Sequence, residues 1–225
     1  MKPFGIIALF IFFLYCGKAY SQSDSFQPEW GYGINGGLTF SKVGFNSYVN
    51  VPQTLLRQYS GGFTVRYISQ KNFGIQGELN YSLRGWKERT DPEHHPSQYA
   101  RSIAYLEIPV MTHVYFNLAK RIRFIFNLGP QIGFYMKEKD IERNIVQAES
   151  DSTLNYYDLA VQHSFDYGLK GTIGFEFRTK AGSFILDGRY YFALSDIFNN
   201  RKVDPFQASN NQVIGANLTY LFRMK

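Results

Sequence analysis

Cysteine occurs once in the 225-residue chain, at position 16, inside a segment that reads as a secretory leader. A mature chain lacking residues 1–21 would contain no cysteine, so neither a disulfide framework nor a thiolate metal site is open to it. Long apolar runs are equally scarce. The one clear run, from Phe4 to Cys16, follows Lys2 and precedes the small-x-small triplet Ala19-Tyr20-Ser21. It falls short of the ~20 apolar residues that a helical span needs, which favours a cleaved signal peptide over an anchor. Cys16 follows Tyr15, where a lipoprotein signal carries a small residue, so cleavage is expected before Gln22, leaving one domain over 22–225. An excess of one charge is also missing. The formal net charge of +6 falls to +4 once Lys2 and Lys18 leave, and no basic run stands out, so nucleic acid is not an expected partner.

Aromatic residues are abundant: 21 Phe, 17 Tyr and 2 Trp, beside 20 Gly. That mixture favours strands over long helices. Period-2 alternation recurs over 30–40, 59–68, 73–84, 103–116, 122–136, 165–178, 184–192 and 213–222. In 30–40 the even positions are Trp30, Tyr32, Ile34, Gly36, Leu38 and Phe40, and the odd ones are small or polar. In 73–84 Phe73, Ile75, Leu79, Tyr81 and Leu83 alternate with Gly74, Gln76, Glu78, Asn80, Ser82 and Arg84. Pro109 removes a ladder donor from its strand, which must therefore tolerate a local irregularity. Connections alternate between long (44–58, 85–102, 137–164, 195–212) and short (69–72, 117–121, 179–183). An even strand count with long loops at one end and short turns at the other describes an all-β fold, an eight-stranded antiparallel up-and-down barrel.

Volume decides which face is inside. Roughly 40 large apolar side chains would overfill an eight-stranded lumen, so the apolar face points outward into lipid and the barrel is transmembrane. Trp30, Tyr32, Phe73, Phe116, Phe124, Phe177, Phe184 and Phe222 then fall near the short-turn ends, as an interfacial girdle would. The chain order puts the termini and short turns in the periplasm and the long loops outside the cell.

The inward face carries Arg66, Glu78, Arg84, Glu107, Arg123, Lys170, Glu176, Asp187 and Arg189, together with His113 and Asp166. An ion-pair network that fills the lumen is the preferred reading, with Arg66 and Glu78 as diagonal neighbours and Glu176 and Asp187 near Lys170 and Arg189. A passive channel and a lipid-modifying enzyme are the alternatives. An enzyme would need a grouped nucleophile, base and orienter, and His163, Ser164 and Asp166 are close only in sequence. His94-His95 lacks further ligands for a metal, and no cofactor or metal is expected. Residues 137–164, which include Lys137-Glu138-Lys139-Asp140 and Asn155-Tyr156-Tyr157-Asp158, read as a solvated loop that could contact a partner.

Several segments in order are similar to the PorT-type outer-membrane β-barrel family of Bacteroidetes. They are Trp30-Gly-Tyr-Gly-Ile-Asn-Gly-Gly-Leu, Tyr105-Leu-Glu-Ile-Pro-Val, Leu128-Gly-Pro-Gln-Ile-Gly, Asp166-Tyr-Gly-Leu-Lys-Gly-Thr-Ile-Gly-Phe-Glu-Phe and Gly188-Arg-Tyr-Tyr. The ending Gly215-Ala-Asn-Leu-Thr-Tyr-Leu-Phe resembles the strand signal read by the barrel-assembly machinery. The resemblance implies an outer-membrane location in contact with lipid and, as for the family's namesake, a part in type IX protein secretion alongside secretion-system proteins. It transfers no catalytic residues.

Overall fold

The structure, a computed structural model, describes residues 26–46, 52–88, 98–144, 159–199 and 208–224. The leader expected at 1–21 lies outside them, as do His94, His95 and 155–158. The chain forms β1 (Glu29–Asn46), a two-residue β2 (Gln53–Thr54), β3 (Leu56–Gln70), β4 (Phe73–Glu88), β5 (Gln98–Ala119), β6 (Ile122–Asn144), β7 (Phe165–Arg178), β8 (Ser183–Ala193) and β9 (Ala208–Met224). The eight long strands pair antiparallel with their chain neighbours, and β1 closes the ring on β9 from Trp30↔Met224 to Asn46↔Ala208. Alternation therefore does predict the fold, with β2 an added fragment against the end of β4.

The faces point as volume requires. Phe126, Phe175 and Leu79 lie exposed on the outside, whereas Glu78 and Lys170 are buried. Outward rings near the short turns pack together, among them Trp30 on Tyr67 (4.5 Å between centroids), Phe184 on Tyr220 (4.9 Å) and Tyr220 on Phe222 (4.7 Å). Asn72 closes the first short turn in the left-handed region (φ 70°), which Asn tolerates better than most residues, and its amide donates to Tyr115 O (2.8 Å). Around Pro109 the β4–β5 ladder skips from Gly77↔Val110 to Asn80↔Glu107, the irregularity its missing donor demands.

Strands overrun their expected ends on the long-loop side. β6 continues to Asn144 and β5 begins at Gln98, so 137–144 and 98–102, read as loop, are strand. Tyr135 and Glu138 face inward while Lys137 and Lys139 stay exposed, and a register shift falls between Tyr135 and Lys137. The polar–apolar contrast is lost there although the pairing goes on.

One seam departs from regular pairing. The β3–β4 ladder stops at Ser60↔Ser82 and resumes only at Thr54↔Lys87. Over this gap β4 turns to hydroxyls of β1 instead: Thr39 Oγ1 donates to Leu83 O (3.1 Å) and Gly85 N–H donates to Ser41 Oγ (2.9 Å). Gly85 sits at φ +152°, where a Cβ would fall 1.9 Å from Arg101 O of β5, so only glycine allows β4 to run this close to β5 here.

Candidate functional site: the barrel lumen

Inward positions of neighbouring strands build a polar column between two apolar plugs. Ile68, Tyr115, Ile125, Ile185 and Leu221 pack at the short-turn end with Phe26 against them. Val43, Trp86, Tyr99, Ile103, Tyr105, Ile197 and Phe198 close the long-loop end. The short-turn plug follows from the same alternation that places charge inward, because Ile125 shares its face with Arg123, and Leu221 with Asn217 and Thr219.

Just above the lower plug, Arg66 donates through Nε and Nη2 to Gln76 Oε1 (2.9 and 2.6 Å) and through Nη1 to Glu176 Oε2 (3.2 Å). Arg123 lies 3.9 Å from the same Glu176 oxygen, donates to Asn117 Oδ1 (3.1 Å) and stacks 4.1 Å above the Tyr115 ring. His113 is fully buried, with Nδ1 2.6 Å from Asn127 Oδ1. At mid-height Glu78 accepts from Arg189 (2.9 Å), Lys170 (3.4 Å), Gln76 (2.7 Å) and Asn80 (2.8 Å). Arg189 also holds Asp187 at 2.6 Å. Higher still, Arg84 bridges Glu107 (2.8 Å) and Asp166 (2.6 Å), with its guanidinium 4.3 Å from the Tyr105 ring centroid and 4.7 Å from that of Tyr191.

Of the nine residues singled out in the sequence, eight are buried in the lumen and Arg189 is half-buried there; Arg189 holds Asp187 as expected, but the other partners differ from the expected ones. Arg66 takes Glu176 rather than Glu78, because register sets it opposite Gln76 and the narrow bore brings β7 within reach. Glu78 takes Lys170 and Arg189 from the far wall, which leaves Glu176 to Arg66 and Arg123. Asp166 accepts from Arg84, from Tyr191 (2.7 Å) and from Ser195 (2.5 Å), and this engages it away from any triad with His163 and Ser164.

Charges balance along the column: Arg66, Arg84, Arg123, Lys170 and Arg189 stand against Glu78, Glu107, Asp166, Glu176 and Asp187. A cavity beside Asn80, Glu107, Lys170, Arg189 and Tyr191 measures only ≈ 30 Å³, room for about two waters.

A further ion cluster, absent from the sequence reading, caps the long-loop end. Arg101 donates to Asp140 Oδ1 (2.9 Å), lies 3.6 Å from Glu138 and also donates to Leu159 O, while Tyr99 OH donates to the same Asp140 oxygen (3.0 Å). Its signal was the odd-numbered inward face of β5 carried on past Ile103, but an expected loop boundary hid it. Burial pushes the Asp140 carboxyl up, yet Tyr99 and Arg101 outweigh that and hold it below the ordinary carboxylate value. A depressed folded value contributes stability above the unfolded pKa of ~3.9 and loses it as pH falls through the folded value. Trp86, 5.6 Å from the Arg101 guanidinium, reports the cap. In a Trp30→Phe background its emission should stay constant from pH 8 to about 4 and change only below. A transition above pH 5 would contradict this origin.

Among the described residues no group of three or more His, Cys, Asp or Glu could hold a metal ion. Residues 20–199 match the family model described as outer membrane protein beta-barrel domain. No curated protein matches the chain. Among solved structures, the chain is similar to the outer membrane protein OprG of Pseudomonas aeruginosa (12% identity, TM-score 0.48, covering 87% of this chain and 95% of that one). It is also similar to Ail, the attachment invasion locus protein of Yersinia pestis (15%, 0.39, 85% and 98%), and to Neisserial surface protein A (11%, 0.42, 88% and 100%).

Proposed function

The chain belongs to the outer membrane protein beta-barrel domain family, and from that premise we propose that it is a non-enzymatic, plugged barrel that serves as a structural or secretion-associated component of the outer membrane. The carrying observation is the filled lumen. Paired charges occupy the column, apolar clusters close both ends, and the ≈ 30 Å³ void beside Glu107 and Lys170 is too small for a hydrated ion path. In this reading residues 1–21 are removed on export, the barrel-assembly machinery inserts the remainder, and the termini and short turns face the periplasm. The PorT-type segments, Tyr105-Leu-Glu-Ile-Pro-Val foremost, support a place in protein secretion of the type IX kind. The refolded full-length barrel in a planar bilayer should carry no steady current, and sustained conductance would remove the plugged-lumen reading. A deletion strain that secretes its cargo normally would remove the secretion role.

A further inference from the structure

The open β3–β4 seam has an outer side. A groove of ≈ 380 Å³ runs along the barrel wall there, floored by Tyr59, Tyr81 and Leu83, with Arg57, Lys137 and Lys139 at its rim. Small side chains make the depression, since Ser102 and Ala104 of β5 stand opposite Lys139 and Lys137 in the ladder. The apolar floor continues into the lipid-facing band through exposed Leu79 and Phe63. The rim lies just past Phe134 and Met136, where that band gives way to charge on β6. Among the described residues no carboxylate pairs with the three rim cations. Glu138 also lines the groove, but its carboxylate lies 3.6 Å from Arg101 and accepts from the Val161 N–H, and Glu142 is held by Lys87 at 2.6 Å.

We propose that this groove binds a phosphorylated, acylated glycolipid of the outer leaflet, with acyl chains along the tyrosine and leucine floor and phosphates on Arg57, Lys137 and Lys139. Charge complementarity selects the headgroup, because exposed cations at headgroup level attract phosphate and Arg meets it bidentately. The continuous apolar floor selects a lipid over a free anion. The broken ladder explains why the recess lies here, since β4 bends toward Thr39 and Ser41 of β1 and leaves β3. The assignment to the outer leaflet rests on the long loops facing outward; the existence of the groove does not depend on whether the lumen conducts.

The test uses the full-length barrel in neutral detergent micelles with Kdo2-lipid A as probe, the fold of each variant being checked by heat-modifiable gel mobility. The triple variant Arg57→Ala/Lys137→Ala/Lys139→Ala should weaken binding about tenfold or more, and removal of the phosphates from the probe should do the same to the parent protein. Ala104→Trp, which fills the groove and leaves the rim intact, should weaken it as well. Unchanged affinity in the triple variant, indifference to dephosphorylation, or equal competition by phosphatidylglycerol would each overturn the proposal. Micelle binding is blind to orientation, so a membrane-impermeant maleimide applied to intact cells carrying Ile141→Cys reads that separately. Labelling supports the outer leaflet, and protection overturns that part alone.

Discussion

Arg84→Met is expected to cost the barrel about 3–5 kcal/mol, because it strands two buried acids without their counter-charge. The Arg84 side chain is wholly buried, with Glu107 at 2.8 Å, Asp166 at 2.6 Å and the rings of Tyr105 and Tyr191 within cation–π range. Methionine fills most of the volume but neutralises nothing. Two buried carboxylates without a counter-charge are costly. Arg84→Met/Glu107→Gln/Asp166→Asn should recover much of the loss at neutral pH, since it removes the charges together rather than one alone. Urea unfolding in micelles at neutral pH, followed by tryptophan emission, measures these differences. A loss under about 1 kcal/mol, or a triple variant no more stable than Arg84→Met, would contradict the bridging role.

Strand identity, facing and ring order were all legible in the sequence, because lipid on one side and paired charge on the other give each strand a strict two-residue contrast. Strand length was not. Beyond Met136 the outer face meets water and is as polar as the inner one, so Lys137, Glu138, Lys139 and Asp140 lose the contrast although the ladder holds to Asn144. The inward facing of the nine lumen residues was legible for the same reason, as was the Asp187–Arg189 pair, but most of the other partners were not. Hairpin register fixes which residue lies opposite along a seam, as Arg66 faces Gln76, but it says nothing about reach across the bore. Arg66 finds Glu176 and Glu78 finds Arg189 at sequence separations of 110 and 111, distances that no local pattern encodes. Gly85 shows a similar limit. A glycine between Arg84 and Trp86 could mark a turn or a bulge, and only the placement of β5 reveals that it makes room for the Arg101 carbonyl.

Glu78→Ala should be comparably severe, and it tests whether the mid-height column acts as a unit. Glu78 accepts from Arg189, Lys170, Gln76 and Asn80, so its loss orphans donors from three strands at once. Arg189 retains Asp187 at 2.6 Å, whereas Lys170 has no second ion pair among the described residues, so the lysine bears most of the penalty. That asymmetry orders the variants. Glu78→Ala should cost about 3–5 kcal/mol, and adding Lys170→Met should restore more of it than adding Arg189→Met, which would leave Asp187 uncompensated. Glu78→Gln keeps hydrogen-bonding capacity but not charge and should fall between Glu78→Ala and the parent, since charged hydrogen bonds are worth about 1.5–3 kcal/mol against ~1 for neutral ones. Unfolding midpoints from the same urea titration give the ranking. If Arg189→Met rescued Glu78→Ala better than Lys170→Met, the charge on Glu78 would be balancing Arg189 first, and the pairing inferred for Lys170 would be wrong.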